Sequence, residues 1–260
     1  MSKKVAIVTG GTSGIGRATA LALQERGYTV YELSRRAEGM PDIRHIVADI
    51  TKEETLQAAV EQVLAVEGRL DLVVNNAGFG ISGAIEFTDT QEAQRLFDTL
   101  FFGMVRMNRC VIPLMRQQGH GRIVNISSVA APVPIPFQAY YSAGKAAINA
   151  YTMALANELR PFGVTVCAVM PGDIKTGFTA ARHKIIDGDD IYQGRIGRSV
   201  QRMEHDEQTG MDPAKVGRYI AAVASREGSH HPLYATRIDY KFFVFLTKVL
   251  PARFLNWLIY

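Results

Sequence analysis

The chain has 260 residues, a length that suits one large domain with a full core. Apolar residues make up 47% and charged residues 21%, ordinary fractions for a folded globular chain. The net charge of +4 and the pI of about 9.1 come from scattered lysines and arginines, which excludes the basic stripe with stacking aromatics of a nucleic-acid binder.

In chain order, "KVAIVTG" reads as a short buried strand and "GRATALALQERG" as a helix. The N-terminus enters that strand without a signal-peptide pattern, and a cytoplasmic location is expected. "YTVYELS" and "IRHIVAD" follow as strands, "KEETLQAAVEQVLAVEG" as a helix and "LDLVVNNAG" as a strand. A helix is expected from about Thr90 to Arg116, then the strand "GRIVNISS", a helix from about Ala139 to Arg160 and the strand "VTVCAVMPG". Strands this apolar are buried on both faces. Alternating with helices, they predict an α/β fold with a doubly wound parallel sheet in three layers, a single domain over residues 1–260. Cys110 and Cys167 lie in apolar runs, away from any Cys/His cluster, and read as buried, inert thiols rather than zinc ligands. Residues 177–210 are polar and lack clear periodicity. They read either as a variable surface segment or as a substrate lid, because they follow a strand end where ligands bind in such sheets.

The first strand runs into "TGGTSGIG", Thr9 to Gly16, and then into a helix. Glycines at 10, 14 and 16 allow a tight turn, a close backbone approach to a pyrophosphate and close helix–sheet packing. The helix N-terminus offers N–H groups and a positive dipole end to phosphates. After the second strand come Ser34, Arg35 and Arg36, where an acidic residue would bind the ribose hydroxyls of NAD. Two guanidinium groups suit a 2′-phosphate instead, so NADP(H) is expected in preference to NAD(H). Glu32, one position before Leu33, is not expected to reach the ribose.

With these pieces the sequence resembles the short-chain dehydrogenase/reductase family, almost throughout to about residue 226. "TGGTSGIG" is similar to the family's T-G-x-x-x-G-x-G, which implies cofactor contacts from Gly10, Thr12, Ser13, Gly14, Ile15 and Gly16. Asp49, followed by Ile50 in "VADIT", matches the acid that contacts the adenine ring. "NNAG" matches the motif that supports the sheet and lines the cofactor through Asn76, Ala77 and Gly78. "ISS" followed by Y-x-x-x-K matches the catalytic motifs. "PGDIKT" resembles the segment that holds the nicotinamide carboxamide, implicating Pro171, Gly172, Ile174 and Thr176. Five motifs in this order are specific together, although each alone is not. The resemblance implies a Rossmann-type fold, an oxidoreductase that interconverts a ketone and a secondary alcohol, and a homodimer or homotetramer built on two long helices. The "PGDIKTGF" stretch and the extended tail are similar to the hydroxysteroid-dehydrogenase-like branch.

Hydride transfer to a ketone needs a proton donor and a group that polarises the oxygen. Tyr141 and Lys145 are i and i+4 on one helix face and can converge, whereas Tyr140 would pair with Gly144 and reads as packing. A nearby ammonium is expected to lower the phenol's pKa and fit Tyr141 for general acid/base work. The resemblance also gives Lys145 the nicotinamide ribose hydroxyls. It places the polarising serine 13 positions before the tyrosine, at Ser128, leaving Ser127 a structural hydroxyl on the other side of the strand.

One position departs from the family pattern. A gapless count places Leu100 where many members carry an asparagine that holds a relay water. Three readings stand: a relay through backbone and water alone, rescue by a neighbour such as Thr99, or an impaired protein. The two turns to Asn108 are too far for it to substitute. The expected pocket residues, Phe79, "APVPIPF" at 131–137 and Phe178, are mostly apolar and predict a large hydrophobic ketone or alcohol, steroid-like by the branch resemblance. The apolar tail at about 240–260, interrupted by Pro251, fits a subunit contact, a pocket cover or a membrane surface, with burial against protein the simplest. A cofactor-binding, non-catalytic sensor or partner subunit is the competing function. Leu100 favours it, and the intact Ser128, Tyr141 and Lys145 oppose it.

Overall fold

Val5–Thr9 form β1, a strand with every residue buried. Val5 and Ile7 point into one layer of core, Ala6 and Val8 into the other, which is why the run is apolar without alternation. A computed structural model describes residues 3–227 and 231–259; the first two residues, 228–230 and Tyr260, which fall within the expected domain and tail, lie outside the described residues.

After β1 come α1 (Gly14–Glu25), β2 (Thr29–Ser34), β3 (Arg44–Val47), α2 (Glu53–Glu67), β4 (Leu72–Asn75) and β5 (Ile81–Ser82). Then follow α3 (Thr90–Phe97), α4 (Gly103–Gln118), β6 (Gly121–Ile126), α5 (Ala139–Leu159) and β7 (Val164–Met170). The chain continues with α6 (Phe178–Ala181), β8 (His183–Lys184), α7 (Arg195–Gln208), α8 (Pro213–Ala224), β9 (Leu233–Ala235), α9 (Ile238–Val249) and α10 (Ala252–Ile259).

Seven strands form one parallel sheet in the order β3-β2-β1-β4-β6-β7-β9. One core layer holds Leu23 of α1 and Ile220 of α8; the other holds Val60 of α2, Met107 of α4 and Leu155 of α5. The doubly wound sheet expected from the sequence is therefore the observed one. The strand order reverses between β1 and β4, which opens a crevice at their C-terminal ends.

Two segments differ from the sequence reading. The single helix expected from Thr90 is two helices joined by a π-helical turn, Asp98–Phe102. Such wide turns recur at functional sites, and this one carries Leu100. Residues 177–210 are more regular than their composition suggests. β8 pairs with the short β5, and α7 buries Ile196 and Val200, spaced one turn apart among many charges.

α8 starts sharply: the Asp212 carboxylate accepts the Ala214 amide at 2.9 Å, and Pro213 follows it. Its Gly217 lies against α1 so closely that a Cβ would stand 2.4 Å from the Ala18 backbone carbon. Gly217→Ala should therefore push the two helices apart and cost about 1–2 kcal/mol net of alanine's better helix propensity. Thermal unfolding should show a Tm lower by a few degrees; an unchanged Tm would mean that the close approach carries no stability.

Candidate active site

β1 ends in the glycine turn. Gly10 and Gly14 take φ of +65° and +53°, a region costly for side chains, and a Cβ on Gly16 would stand 2.2 Å from the Gly10 carbonyl oxygen. Asn76 clamps this turn from the end of β4. Its Nδ2 donates to the carbonyls of Thr9 and Gly10 at 3.0 and 3.2 Å, and the Thr9 hydroxyl accepts the amides of Asn76 and Ala77 at 3.0 and 3.1 Å. Beneath it runs a buried amide chain that sequence reasoning missed. Asn75 Nδ2 donates to Oδ1 of Asn108 and of Asn125, and Asn125 Nδ2 donates to the Thr152 hydroxyl. Those bonds join β4, α4, β6 and α5. The only sequence signal was the "NNAG" motif, since Asn108 and Thr152 stand far from it in the chain.

A cleft of about 1940 Å³ opens above the turn. A single small ligand needs roughly 300–1,000 Å³, so this one has room for a dinucleotide and a second molecule. Thr12, Ser13, Gly14 and Ile15 line one end, with Ser34, Arg35 and Arg36 beside them. Both arginines are exposed to the cleft, while Glu32 is fully buried, hydrogen-bonded with His45 and turned away from it. Burial raises the Glu32 pKa against the pull of His45 and Arg36. Asp49 and Ile50 complete this end. Burial works to raise the Asp49 pKa, but the Thr51 amide and hydroxyl, then Arg35 and Lys52, hold it below its ordinary value. Ala77, Gly78, Pro171, Gly172, Ile174 and Thr176 line the middle, and Thr176 is the neighbour of Gly14. Gly16 is the expected contact residue that does not face the cleft; it packs on Gly10 and shapes the turn. The glycine contacts, the open helix N-terminus and the basic end together fit a dinucleotide.

At the other end, Ser128, Tyr141 and Lys145 line the same cleft. Lys145 Nζ donates to the Ile126 carbonyl at 2.7 Å and lies 5.6 Å from the centre of the Tyr141 ring. Burial alone lowers the Lys145 pKa to about 7. Tyr141 departs from expectation: desolvation pushes its phenol up to about 12, ahead of the lowering influence of Ser128 and Arg182 and with Glu207 and Asp173 adding to the rise. The expected depression by the lysine is overridden because the surroundings are dry and the ammonium is itself destabilised. The ring is only partly covered, its open side being the cleft. Ser128 Oγ accepts the Ala130 amide at 3.1 Å, and Ser127 Oγ donates to the Lys145 carbonyl at 3.1 Å, which engages it in holding the helix.

Leu100 is buried in the π-helical turn between Gly78 and Gly144. Its methyl groups would lie 2.4 and 3.6 Å from a Cβ at those positions. It belongs to an apolar cluster with Ile81, Leu96 and Ile185, against which Tyr140 and Tyr141 pack. The Thr99 hydroxyl donates to the Arg95 carbonyl, and Asn108 is engaged with Asn75.

The substrate end is more polar than the sequence reading held. Phe79, Val133, Ile135, Phe137 and Phe178 line it as expected, but α7 turns Arg195, Arg198, Arg202 and Asp206 to the same space. Arg182, buried, pairs with Glu207 of α7 and stacks over Phe178, whose ring lies 5.9 Å from that of Tyr141. No motif marked this pair, because the partners come from different elements. Cys167 is buried and its pKa raised by that burial to about 12, whereas Cys110 is only half-buried.

Residues 4–185 match the family described as short chain dehydrogenase. A 3-ketodihydrosphingosine reductase of Bacteroides thetaiotaomicron is 38% identical over 99% of this chain and 94% of its own. Among solved structures, a short-chain dehydrogenase from Streptomyces avermitilis superposes with a TM-score of 0.84 at 34% identity, covering 94% of this chain and 92% of that one. A 3-ketoacyl-(acyl-carrier-protein) reductase from Brucella melitensis, complexed with NADH, gives a TM-score of 0.75 at 28% identity over 90% of this chain and 96% of that one. These likenesses span the same strands, turn and helix that build the cleft, and the chain belongs to the short-chain dehydrogenase/reductase family, as an oxidoreductase acting between a ketone and its alcohol.

Proposed function

We propose that the protein uses NADP(H) to interconvert a ketone and a secondary alcohol on a long, amphiphilic apolar molecule. The observation that carries this reading is the convergence of Ser128, Tyr141 and Lys145 on one cleft whose far end presents Arg35 and Arg36. The mixed lining favours a chain with a polar head over a fused-ring steroid, because charged α7 residues face the space beside apolar Phe137 and Phe178. The relative named for 3-ketodihydrosphingosine, a long-chain ketone, supports the same choice.

A dinucleotide held by the glycine turn and the basic end would supply a hydride to the carbonyl carbon in reduction or take one from the carbinol carbon in oxidation. In reduction, Tyr141 Oη gives its proton to the carbonyl oxygen and Ser128 Oγ donates a hydrogen bond to that oxygen; in oxidation Tyr141 takes the proton back. A phenol held near 12 is protonated at neutral pH, which suits the reductive direction. Lys145, at about 7, is poised to return a proton at neutral pH. Leu100 offers no polar atom, so that exchange runs through solvent in the cleft, with the Ile126 carbonyl holding the Lys145 amine in place.

NADPH oxidation measured over long-chain keto compounds and steroid ketones should show turnover on the former, reduced about 10²–10⁴-fold in Tyr141→Phe. Ser128→Ala should be more damaging than Ser127→Ala. Turnover on steroids alone, or an active Tyr141→Phe, would refute the reading. For the cofactor, kcat/KM should favour NADPH over NADH by about tenfold or more, and Arg35→Glu should erase that preference. A wild-type preference for NADH would refute it.

The lysine makes a separate prediction for stability. Between about 7 and 10.5 the unfolded chain holds a proton on Lys145 that the folded chain lacks. Stability contributed by this group therefore rises with pH through that window and is lowest below it. The Tm of the wild type minus that of Lys145→Met should increase from about pH 6 to about pH 9, by the equivalent of roughly 1–3 kcal/mol. A difference independent of pH would show that burial does not depress this lysine.

A further inference from the structure

α9 reads "IDYKFFVFLTKV", and its apolar side chains divide between two faces. The inner face is already engaged with the protein. The Tyr240 ring lies so close over Gly172 that a Cβ there would stand 2.1 Å from it, its hydroxyl accepts the Asp173 amide at 3.2 Å, and Phe243 lines the cleft. This face packs on the protein, although no residue of α9 is fully buried.

The outer face does not. Ile238, Phe242, Phe245 and Val249 are spaced four, three and four apart, a single helical stripe, and are 85%, 61%, 56% and 57% exposed. After Pro251, α10 adds Phe254 and Trp257, 46% and 69% exposed, with their rings 5.8 Å apart. Scattered exposed apolar residues need no explanation; two consecutive helices that present large ones outward do. Lys241 and Lys248 flank the stripe on one side and Arg253 follows in α10, while the Asp239 carboxylate is taken up by Arg237 at 2.6 Å. An apolar stripe with a basic edge and a terminal tryptophan fits a lipid–water interface that carries negative charge. Among the described residues no helix is long and apolar enough to cross a membrane, so the helices would lie along the surface.

We propose that the outer face of α9 and α10 docks on an anionic lipid surface. Phe243, on the inner side of the same helix, borders the cleft, so docking would set the cleft beside the layer in which an apolar ketone dissolves. The proposal rests on the stripe and its charges and stands apart from the substrate reading.

Trp257 is the single tryptophan of the chain and reports its own environment. The full-length protein is mixed with vesicles of phosphatidylcholine alone and with vesicles that also contain phosphatidylglycerol. Expected are co-sedimentation and a blue shift of Trp257 emission with the anionic vesicles, both weakened by salt and by Lys241→Gln/Lys248→Gln. Phe242→Ser/Phe245→Ser should reduce vesicle affinity at least about tenfold while circular dichroism and cofactor binding stay unchanged. Protein that remains in the supernatant with both vesicle types overturns the proposal, as does a serine double variant that still sediments. Sedimentation velocity without lipid covers the remaining occupant. A dimer abolished by the same serine variant, with no vesicle binding by the wild type, would make the face a contact between two copies and overturn lipid docking.

Discussion

Asn76 holds together the ends of two strands that the sheet topology makes neighbours. β1 and β4 lie side by side where the strand order reverses, and the Asn76 side chain spans from one to the carbonyls of Thr9 and Gly10 on the other. Everything in the cleft is placed relative to that clamp. It fixes the glycine turn, the turn sets the start of α1, and α1 then packs on α8. The Asn75 amide chain continues the constraint downward through α4 and β6 to Thr152 on α5, the helix that carries Tyr141 and Lys145. One run of amide contacts thus links the glycine-turn end of the cleft to the end lined by Tyr141 and Lys145. Buried amides left without partners would be costly, so these bonds also make the arrangement hard to slip.

Burial shifts the pKa values of Tyr141 and Lys145 more than their mutual charge does. The lysine loses solvation and its pKa falls to about 7; the phenol loses solvation and rises to about 12. Both shifts favour the neutral forms, as expected for two groups in one dry corner. The Leu100 side chain contributes to that dryness by filling the gap between Gly78 and Gly144. Tyr141 packs against the apolar cluster that Leu100 belongs to. Lys145 is left with a backbone acceptor, the Ile126 carbonyl, in place of a side-chain network.

The sheet and the glycine turn were legible in the sequence because their signals are local. Strands such as Val5–Thr9 announce two-sided burial by composition, and a glycine turn needs glycine at fixed offsets whatever lies elsewhere. That Tyr141 faces the cleft with Lys145 was legible for the same reason, as one helical turn separates the two. The π-helical turn was not, since a widened turn leaves the apolar periodicity of Thr90–Gln118 almost intact. The polar side of the substrate end was also hidden. Arg182 and Glu207 meet across 25 residues, and the charges of α7 read as solvated surface until the fold turns them inward.

The sequence by itself determined the parallel sheet, the glycine turn and the placement of Tyr141 one turn from Lys145, all of which depend on neighbours within a few residues. Tertiary structure decided the direction in which Tyr141 is tuned, the amphiphilic lining of the cleft and which face of α9 remains uncovered. Those properties depend on what is excluded from water, and solvent exclusion is set by segments far apart in the chain.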